Sequence, residues 1–307
     1  MSDLLAAALA HAARGWHVFP LRSDDKRPAF PDHPADQCTG RDPRCRTAGR
    51  HLGWEPRATC DPDRIRRAWS VHAYGIGIAC GPSRLVVIDL DIRKPGQTMP
   101  PGYEGYGSGL RVLTELAARH GGTIDPTYTA TTGRRGTHLY YQHPATGPEL
   151  RNTAGMLGPM VDTRAYGGYV VAAGSTVAGR PYTVDLDTDP APLPEWLAPL
   201  LAPAPLPPQR PVVVDLGTGR RAAYVDAAIR RQVTEITTAA PGRRNHTLYV
   251  SAVALGQLVA GGALTEDDAT SVLTNAAQAA GLRPAETART IASGLRAGAR
   301  RPRSVAA

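Results

Sequence analysis

The run Leu85-Val-Val-Ile-Asp-Leu-Asp-Ile92 sets two carboxylates one residue apart inside a β-branched, apolar segment. Side chains alternate between the faces of a strand, so Asp89 and Asp91 project together while Ile88, Leu90 and Ile92 share the opposite face. Carboxylates held side by side repel, and a hard divalent cation such as magnesium or manganese, which takes oxygen ligands, relieves the repulsion. Two such ions about 3.5 to 4 Å apart activate an attacking hydroxyl and stabilise a departing pyrophosphate, so the pair suits phosphoryl transfer. Taken alone, the pair is better explained as the solvated face of an edge strand, and other segments must decide.

Two further segments carry chemistry. Thr132-Gly-Arg-Arg-Gly-Thr-His-Leu-Tyr-Tyr141 places a Gly- and Arg-rich turn directly before a strand bearing His138. The amides of Gly136 and Thr137, the side chains of Arg134 or Arg135, and His138 can together grip a triphosphate. A lone strand histidine is otherwise an ordinary core or surface residue. Val161-Asp-Thr-Arg-Ala-Tyr-Gly-Gly-Tyr-Val-Val171 puts Asp162 and Arg164 on one face ahead of a glycine pair and an apolar strand, the pattern of a hairpin. Seen in isolation, these two residues also fit a surface ion pair.

The ordered set Gly15-Trp16 with Pro20-Leu21, Lys26-Arg-Pro28, LVVIDLD, TGRRGTHLYY, Arg151-Asn152 and VDTRAYGGYVV resembles the bifunctional primase/polymerase domain of the archaeo-eukaryotic primase superfamily, over roughly residues 1 to 200. The resemblance implies a catalytic domain with a mixed or antiparallel sheet and flanking helices, an α+β fold. It implies Asp89, Asp91 and Asp162 as ligands of two magnesium or manganese ions, and His138 as a ligand of the incoming nucleotide's phosphates. Arg164 matches an arginine that approaches nucleotide or template. Where such domains read V-x-P-P-S, this chain has Val171-Ala-Ala-Gly-Ser175, which keeps Ser175 for the nucleotide but lacks both prolines. The implied partners are a single-stranded DNA template, nucleoside triphosphates and a separate helicase, because no helicase ATPase motif follows. The implied activity is primer synthesis and extension in the replication of a plasmid, phage or integrated element. The alternative is a replication-associated nucleic-acid-binding protein with little or no polymerase activity, against which the intact carboxylates argue.

Cys38, Cys45, His51 and Cys60 fall within one irregular stretch, separated by six, five and eight residues. Four such ligands close a tetrahedral zinc site and order a segment with little core of its own. His33 rivals Cys60 as the fourth ligand, since Cys60 also reads as a buried thiol just before the helix that begins near Pro62. Related primase-polymerases can carry a zinc-binding stem near this part of the domain. Cys80, beside Gly81-Pro82, reads as an inert buried thiol.

These residues must be positioned by elements whose signals are local. Leu4 to Arg14 has helical propensity and stops at Gly15; Trp16 to Leu21 reads as a strand. Asp61-Pro62 is a capped helix start. Further strands suit Gly75 to Ala79, Leu85 to Ile92, Thr137 to Gln142 and Tyr169 to Ala173, with a helix near Leu110 to His120. The chain is expected to divide into a catalytic domain over 1–201 with a zinc-binding insertion at 31–60, a Pro-rich spacer at 202–215, a helical bundle at 216–300 and a basic tail at 301–307. Four helices are expected in the bundle, over Arg221 to Thr237, Asn245 to Val259, Glu266 to Ala280 and Ala285 to Leu295. Its arginines, among them Arg289 and Arg296 seven residues apart, suit template or nucleotide as well as a solvated surface.

Composition supports this without deciding it. The 307 residues carry a formal charge of +8, and Lys occurs only at Lys26 and Lys94, so the basic character rests on arginine. A basic balance favours polyanionic partners, although a Lys-poor, Arg-, Ala- and Gly-rich composition also follows from a GC-rich genome. The absence of a basic leader and of any long apolar span makes a cytoplasmic protein without membrane contact the expectation.

Overall fold

Asp61 caps a helix as its position before Pro62 predicts. Its carboxylate accepts from the amides of Asp63 and Arg64 and opens a helix whose Ile65 and Trp69 are buried. The computed structural model describes residues 3–202, 214–215, 221–240 and 243–306. The chain divides into two units, Met1–Pro203 and Ala204–Ala307. Most of the Pro-rich spacer expected at 202–215 lies outside the described residues. Among the described residues no helix is long and apolar enough to cross a membrane.

In the first unit, α1 (Asp3–Ala13), β1 (Val18–Leu21), α2 (Pro43–Ala48) and α3 (Pro62–Val71) precede β2 (Gly75–Ala79) and β3 (Leu85–Leu90). Then follow α4 (Gly109–Arg119), β4 (Tyr128–Thr131), β5 (Thr137–Gln142), β6 (Thr153–Ala154), β7 (Val161–Arg164) and β8 (Tyr169–Val171). Short strands β9 (Thr176–Val177), β10 (Arg180–Pro181), β11 (Thr183–Leu186) and β12 (Ala191–Pro192), with α5 (Ala198–Leu201), complete it. The fold is α+β. The main sheet runs β11-β4-β5-β3-β7-β6, antiparallel throughout, with β12 added parallel to β5; β1, β2 and β8 form a second antiparallel sheet.

Strand β3 is central, and its alternation separates two cores. Leu85 and Val87 join Tyr128, Tyr140, Trp16 and the apolar faces of α1 and α3. Val86, Ile88 and Leu90 pack instead with Val112 and Leu113 of α4, Leu139, Tyr141 and Leu197. Trp16 stacks on Tyr140 at 5.3 Å and meets Tyr128 edge-on at 4.9 Å, a favourable offset and edge geometry.

Two expectations change. The Asp89–Asp91 strand ends at Leu90 rather than Ile92, because the Asp91 amide donates to Met160 and its carbonyl accepts from Gly109, which takes the chain out of the β3 ladder. The 161–171 segment is not a hairpin. β7 pairs with β3 and β6, whereas β8 pairs with β2. The crossing between sheets occurs at Gly167, whose φ of 74° favours glycine, and at Gly168, packed against Asn152.

The second unit holds α6 (Arg221–Thr237), β13 (Val214–Asp215) paired with β14 (Val305–Ala306), α7 (Arg244–Ala260), α8 (Glu266–Ala279) and α9 (Pro284–Ala299). Leu248, Leu255, Leu273, Ile291 and Leu295 are at the centre of the bundle. Gly256 lets α7 and α9 approach so closely that a Cβ there would lie 2.7 Å from the Leu295 carbonyl oxygen.

Candidate active site

The β3 register decides which residues meet. Asp89 lies opposite His138 of β5 on one side and opposite Asp162 of β7 on the other. Directly opposed residues of antiparallel strands share a face, so the three side chains form one row across the sheet. That face is continuous with Leu85, Val87 and Tyr140, and the row begins where the apolar core stops. Asp91, just beyond the strand, stays near enough for its charge to act on Asp89 and Asp162.

The row is knitted by charge. His138 Nε2 lies 3.4 Å from Asp89 Oδ1, and Arg164 Nη2 lies 3.1 Å from Asp162 Oδ2 and 3.8 Å from Asp89 Oδ2. The other Asp162 oxygen accepts from the Gly155 amide at 3.0 Å. His138 is buried, and its Nδ1 has no partner within the protein. Burial pushes the Asp89 carboxyl up, but the His138 contact and the charges of His138, Arg164 and Lys26 outweigh it and hold Asp89 below the usual carboxylate range. Asp91 moves the other way: loss of hydration and repulsion from Asp89 and Asp162 raise it, against the opposing pull of Lys94 and Lys26.

A cleft of about 350 Å³ opens on Asp89 and His138 and is also lined by Arg164, Lys26, Trp54 and Tyr169, whereas Asp91 and Asp162 flank Asp89 without lining the cleft. Trp54 packs against Phe19 and Tyr169, each with ring centroids 4.8 Å away. Lys26, Trp54 and Tyr169 were not expected in the site. Lys26 was visible only as part of a motif, and the two aromatics carry no local signal, because their placement depends on where the 31–60 segment folds back.

The Gly-Arg turn packs against the end of β3. The Thr132 amide donates to the Gly136 carbonyl at 2.8 Å, and a Cβ on Gly136 would lie 2.6 Å from the Leu90 carbonyl oxygen and 3.5 Å from the Asp91 Cα. Arg135, at φ 64°, occupies the left-handed region at the tip. Arg134 and Arg135 point to solvent and do not line the cleft, and neither do Gly136 and Thr137. Ser175 requires a correction. It is 1% exposed, and its hydroxyl accepts from the Ile76 amide at 2.8 Å, closing the edge of β2 after β8 ends. It serves the backbone and is not part of the cleft wall.

The cysteine and histidine cluster also departs from its expected membership. His33, Cys38, Cys45 and His51 bring their ligand atoms within 4.8 Å of one another. Cys60 is elsewhere: Thr59 pairs with Val18 in both directions, which draws Cys60 to the α1 side, its Sγ 3.5 Å from His17 Nδ1. The donor set suits a zinc ion, two thiols and two imidazoles in close array. His51 Nδ1 is buried without a partner, and Cys45 Sγ receives the Leu52 amide at 3.4 Å and Arg57 Nη2 at 3.5 Å, as a thiolate ligand would. Asp42 binds the cluster to the rest of the segment. It caps α2 and pairs with Arg57 at 3.1 Å, and although burial pushes its carboxyl up, Arg57 and the α2 amides bring it down to about 2.

Asp89, His138 and Asp162 thus form one row on an antiparallel sheet flanked by helices, with Asp91 beside it, an arrangement of carboxylates and imidazole suited to hold divalent cations. The family described as bifunctional DNA primase/polymerase, N-terminal, matches residues 8–196, well over half the chain, and the chain belongs to that family. No curated protein matches the sequence. The match covers every cleft residue named above as well as His33, Cys38, Cys45 and His51.

Proposed function

We propose that the first unit is a DNA primase/polymerase that makes and extends primers by template-directed nucleotidyl transfer, using Asp89, Asp91 and Asp162. The observation that carries this reading is the β3 register, which aligns Asp162 and His138 on either side of Asp89 with Asp91 adjacent. Three neighbouring carboxylates, one of them raised by burial and by the repulsion of the other two, have the chemistry of a divalent-cation site. Bound there, two magnesium or manganese ions would supply Lewis acidity toward a 3′-hydroxyl and toward pyrophosphate.

The protein's own groups do the rest. Against the effect of burial, Asp89 is held below the usual carboxylate range by His138 and Arg164, which favours its ionised, ligating form, and Asp162 is paired with Arg164 at 3.1 Å. His138 stands at the wall of the cleft to hold phosphate oxygens, and Arg164, beside both carboxylates, keeps positive charge where nucleotide or template enters. The 31–60 segment, held by zinc on His33, Cys38, Cys45 and His51, delivers Trp54 to the cleft as a flat wall for a base. The bundle supplies further contact with template or nucleotide, and unwinding is left to a separate helicase. Replication of a plasmid, phage or integrated element is the setting this assigns.

The test is incorporation of labelled nucleotides on an unprimed single-stranded template with magnesium or manganese. Asp89→Ala and Asp91→Ala should each reduce product by about a hundredfold or more while single-strand binding is retained. Synthesis unchanged in both variants would overturn the proposal; binding without synthesis in the unmodified chain would favour a nucleic-acid-binding protein.

A further inference from the structure

Three basic side chains line the cleft: His138, Arg164 and Lys26. Two of them are already committed, His138 to Asp89 and Arg164 to Asp162. Among the described residues the Lys26 side chain has no hydrogen bond and no ion pair. Its neighbours leave it in that state. Asp25 binds Arg27, with Arg27 Nε 2.6 Å from Oδ2, and its other oxygen accepts from the Lys26 amide at 2.7 Å. Asp25 is thus taken up by Arg27 and by the Lys26 amide, and the Lys26 ammonium is left without a hydrogen-bonded partner in the turn.

The turn is also anchored. The Arg22 amide donates to the Arg27 carbonyl at 2.9 Å, Tyr169 Oη donates to the Lys26 carbonyl at 3.1 Å, and the Gly179 amide donates to Asp24 Oδ1 at 2.7 Å. Tyr169 itself lines the cleft, so the bond that holds the turn comes from the cleft wall. An anchored backbone under a free cation is what a binding residue needs, because little order has to be imposed when the ligand arrives.

Composition adds an independent argument. The chain has 35 Lys and Arg residues, and lysine stands only at positions 26 and 94. The charges of these two lysines both act on Asp91. Of the two, Lys26 lines the cleft, where a compact, rotatable ammonium can meet ligand oxygens from more directions than a planar guanidinium.

We propose that Lys26 binds the phosphate tail of the incoming nucleoside triphosphate, as the cleft's one uncommitted cation among the described residues. The assignment rests on the nucleotidyl-transfer reading of the cleft and names a binding group beyond the carboxylates, His138 and Arg164. Lys26 neutralises tail oxygens that the carboxylates would otherwise repel, and because it meets the tail rather than the base or sugar it favours triphosphates over monophosphates.

The test is equilibrium binding of dATP and ATP, and of dAMP and AMP, to the full chain with magnesium, alongside primer synthesis. Lys26→Ala should weaken triphosphate binding by about tenfold or more and leave monophosphate binding and the melting temperature unchanged. Lys26→Arg should recover only part of the loss, whereas Arg67→Ala, which removes an exposed charge from α3, should change nothing. Triphosphate binding by Lys26→Ala equal to that of the unmodified chain overturns the assignment, as does an equal loss for both nucleotide lengths. Lys26-dependent triphosphate binding in a chain that synthesises nothing upholds Lys26 and overturns the polymerase reading; synthesis that ignores Lys26 does the reverse.

Discussion

Asp89 and His138 face each other across the β3–β5 pair, with Nε2 of the imidazole 3.4 Å from Oδ1 of the carboxylate. Against the effect of burial, the contact helps hold the Asp89 carboxyl below its usual range, and on the proposed reading it couples a metal ligand to a phosphate-binding group. His138→Ala should lower kcat/KM for nucleotide incorporation by about tenfold to a hundredfold, the range for losing a charge-assisted contact, with His138→Asn recovering part of it. Steady-state incorporation on a primed template measures this; an unchanged kcat/KM in the alanine variant would remove His138 from the site.

Gly136 has no room for a side chain. A Cβ there would stand 2.6 Å from the Leu90 carbonyl oxygen, so Gly136→Ala must displace the backbone leading into Asp91. Overpacking of this kind costs about 1 to 3 kcal/mol. Thermal melting should show that modest loss, and incorporation should fall further than the stability change accounts for, because Asp91 moves.

The metal cluster makes a prediction that separates Cys60 from its neighbours. Purified protein should carry one equivalent of zinc. Cys38→Ser, Cys45→Ser and His33→Ala should each lose it, and Cys60→Ser should keep it. Elemental analysis decides the matter, and zinc loss in Cys60→Ser alone would reverse the ligand assignment.

His11 sets part of the acid sensitivity. It is 6% exposed, its Nε2 lies 2.9 Å from the Ala173 carbonyl oxygen, and burial pushes its pKa below the usual 6.5 despite that contact. As pH falls below 6.5 the unfolded chain takes up a proton that the folded chain refuses, so stability drops until the lowered folded pKa is reached. The slope from this one group is at most about 1.4 kcal/mol per pH unit. Denaturant melts at about pH 7.5, 6.5 and 5.5, which bracket the ordinary histidine range, should show a shallower decline in His11→Gln than in the unmodified chain; identical slopes would assign the acid sensitivity to other groups.

What the sequence determined by itself is what depends on local geometry. Asp89 falls on one side and Ile88 and Leu90 on the other because alternation is a property of a single strand, and the α3 cap at Asp61 follows from neighbouring residues alone. The order of the motifs was enough to identify the family. Tertiary structure decided what depends on pairing between distant segments. The register that sets His138 and Asp162 opposite Asp89 is a hydrogen-bonding choice among three strands. The Thr59–Val18 pairing removes Cys60 from the metal cluster and leaves His33 in its place. Ser175 was lost to the site because an unpaired Ile76 amide at the edge of β2 needed an acceptor. Lys26 and Trp54 reach the cleft only because the irregular segments that carry them are anchored to the sheet by contacts with residues far along the chain.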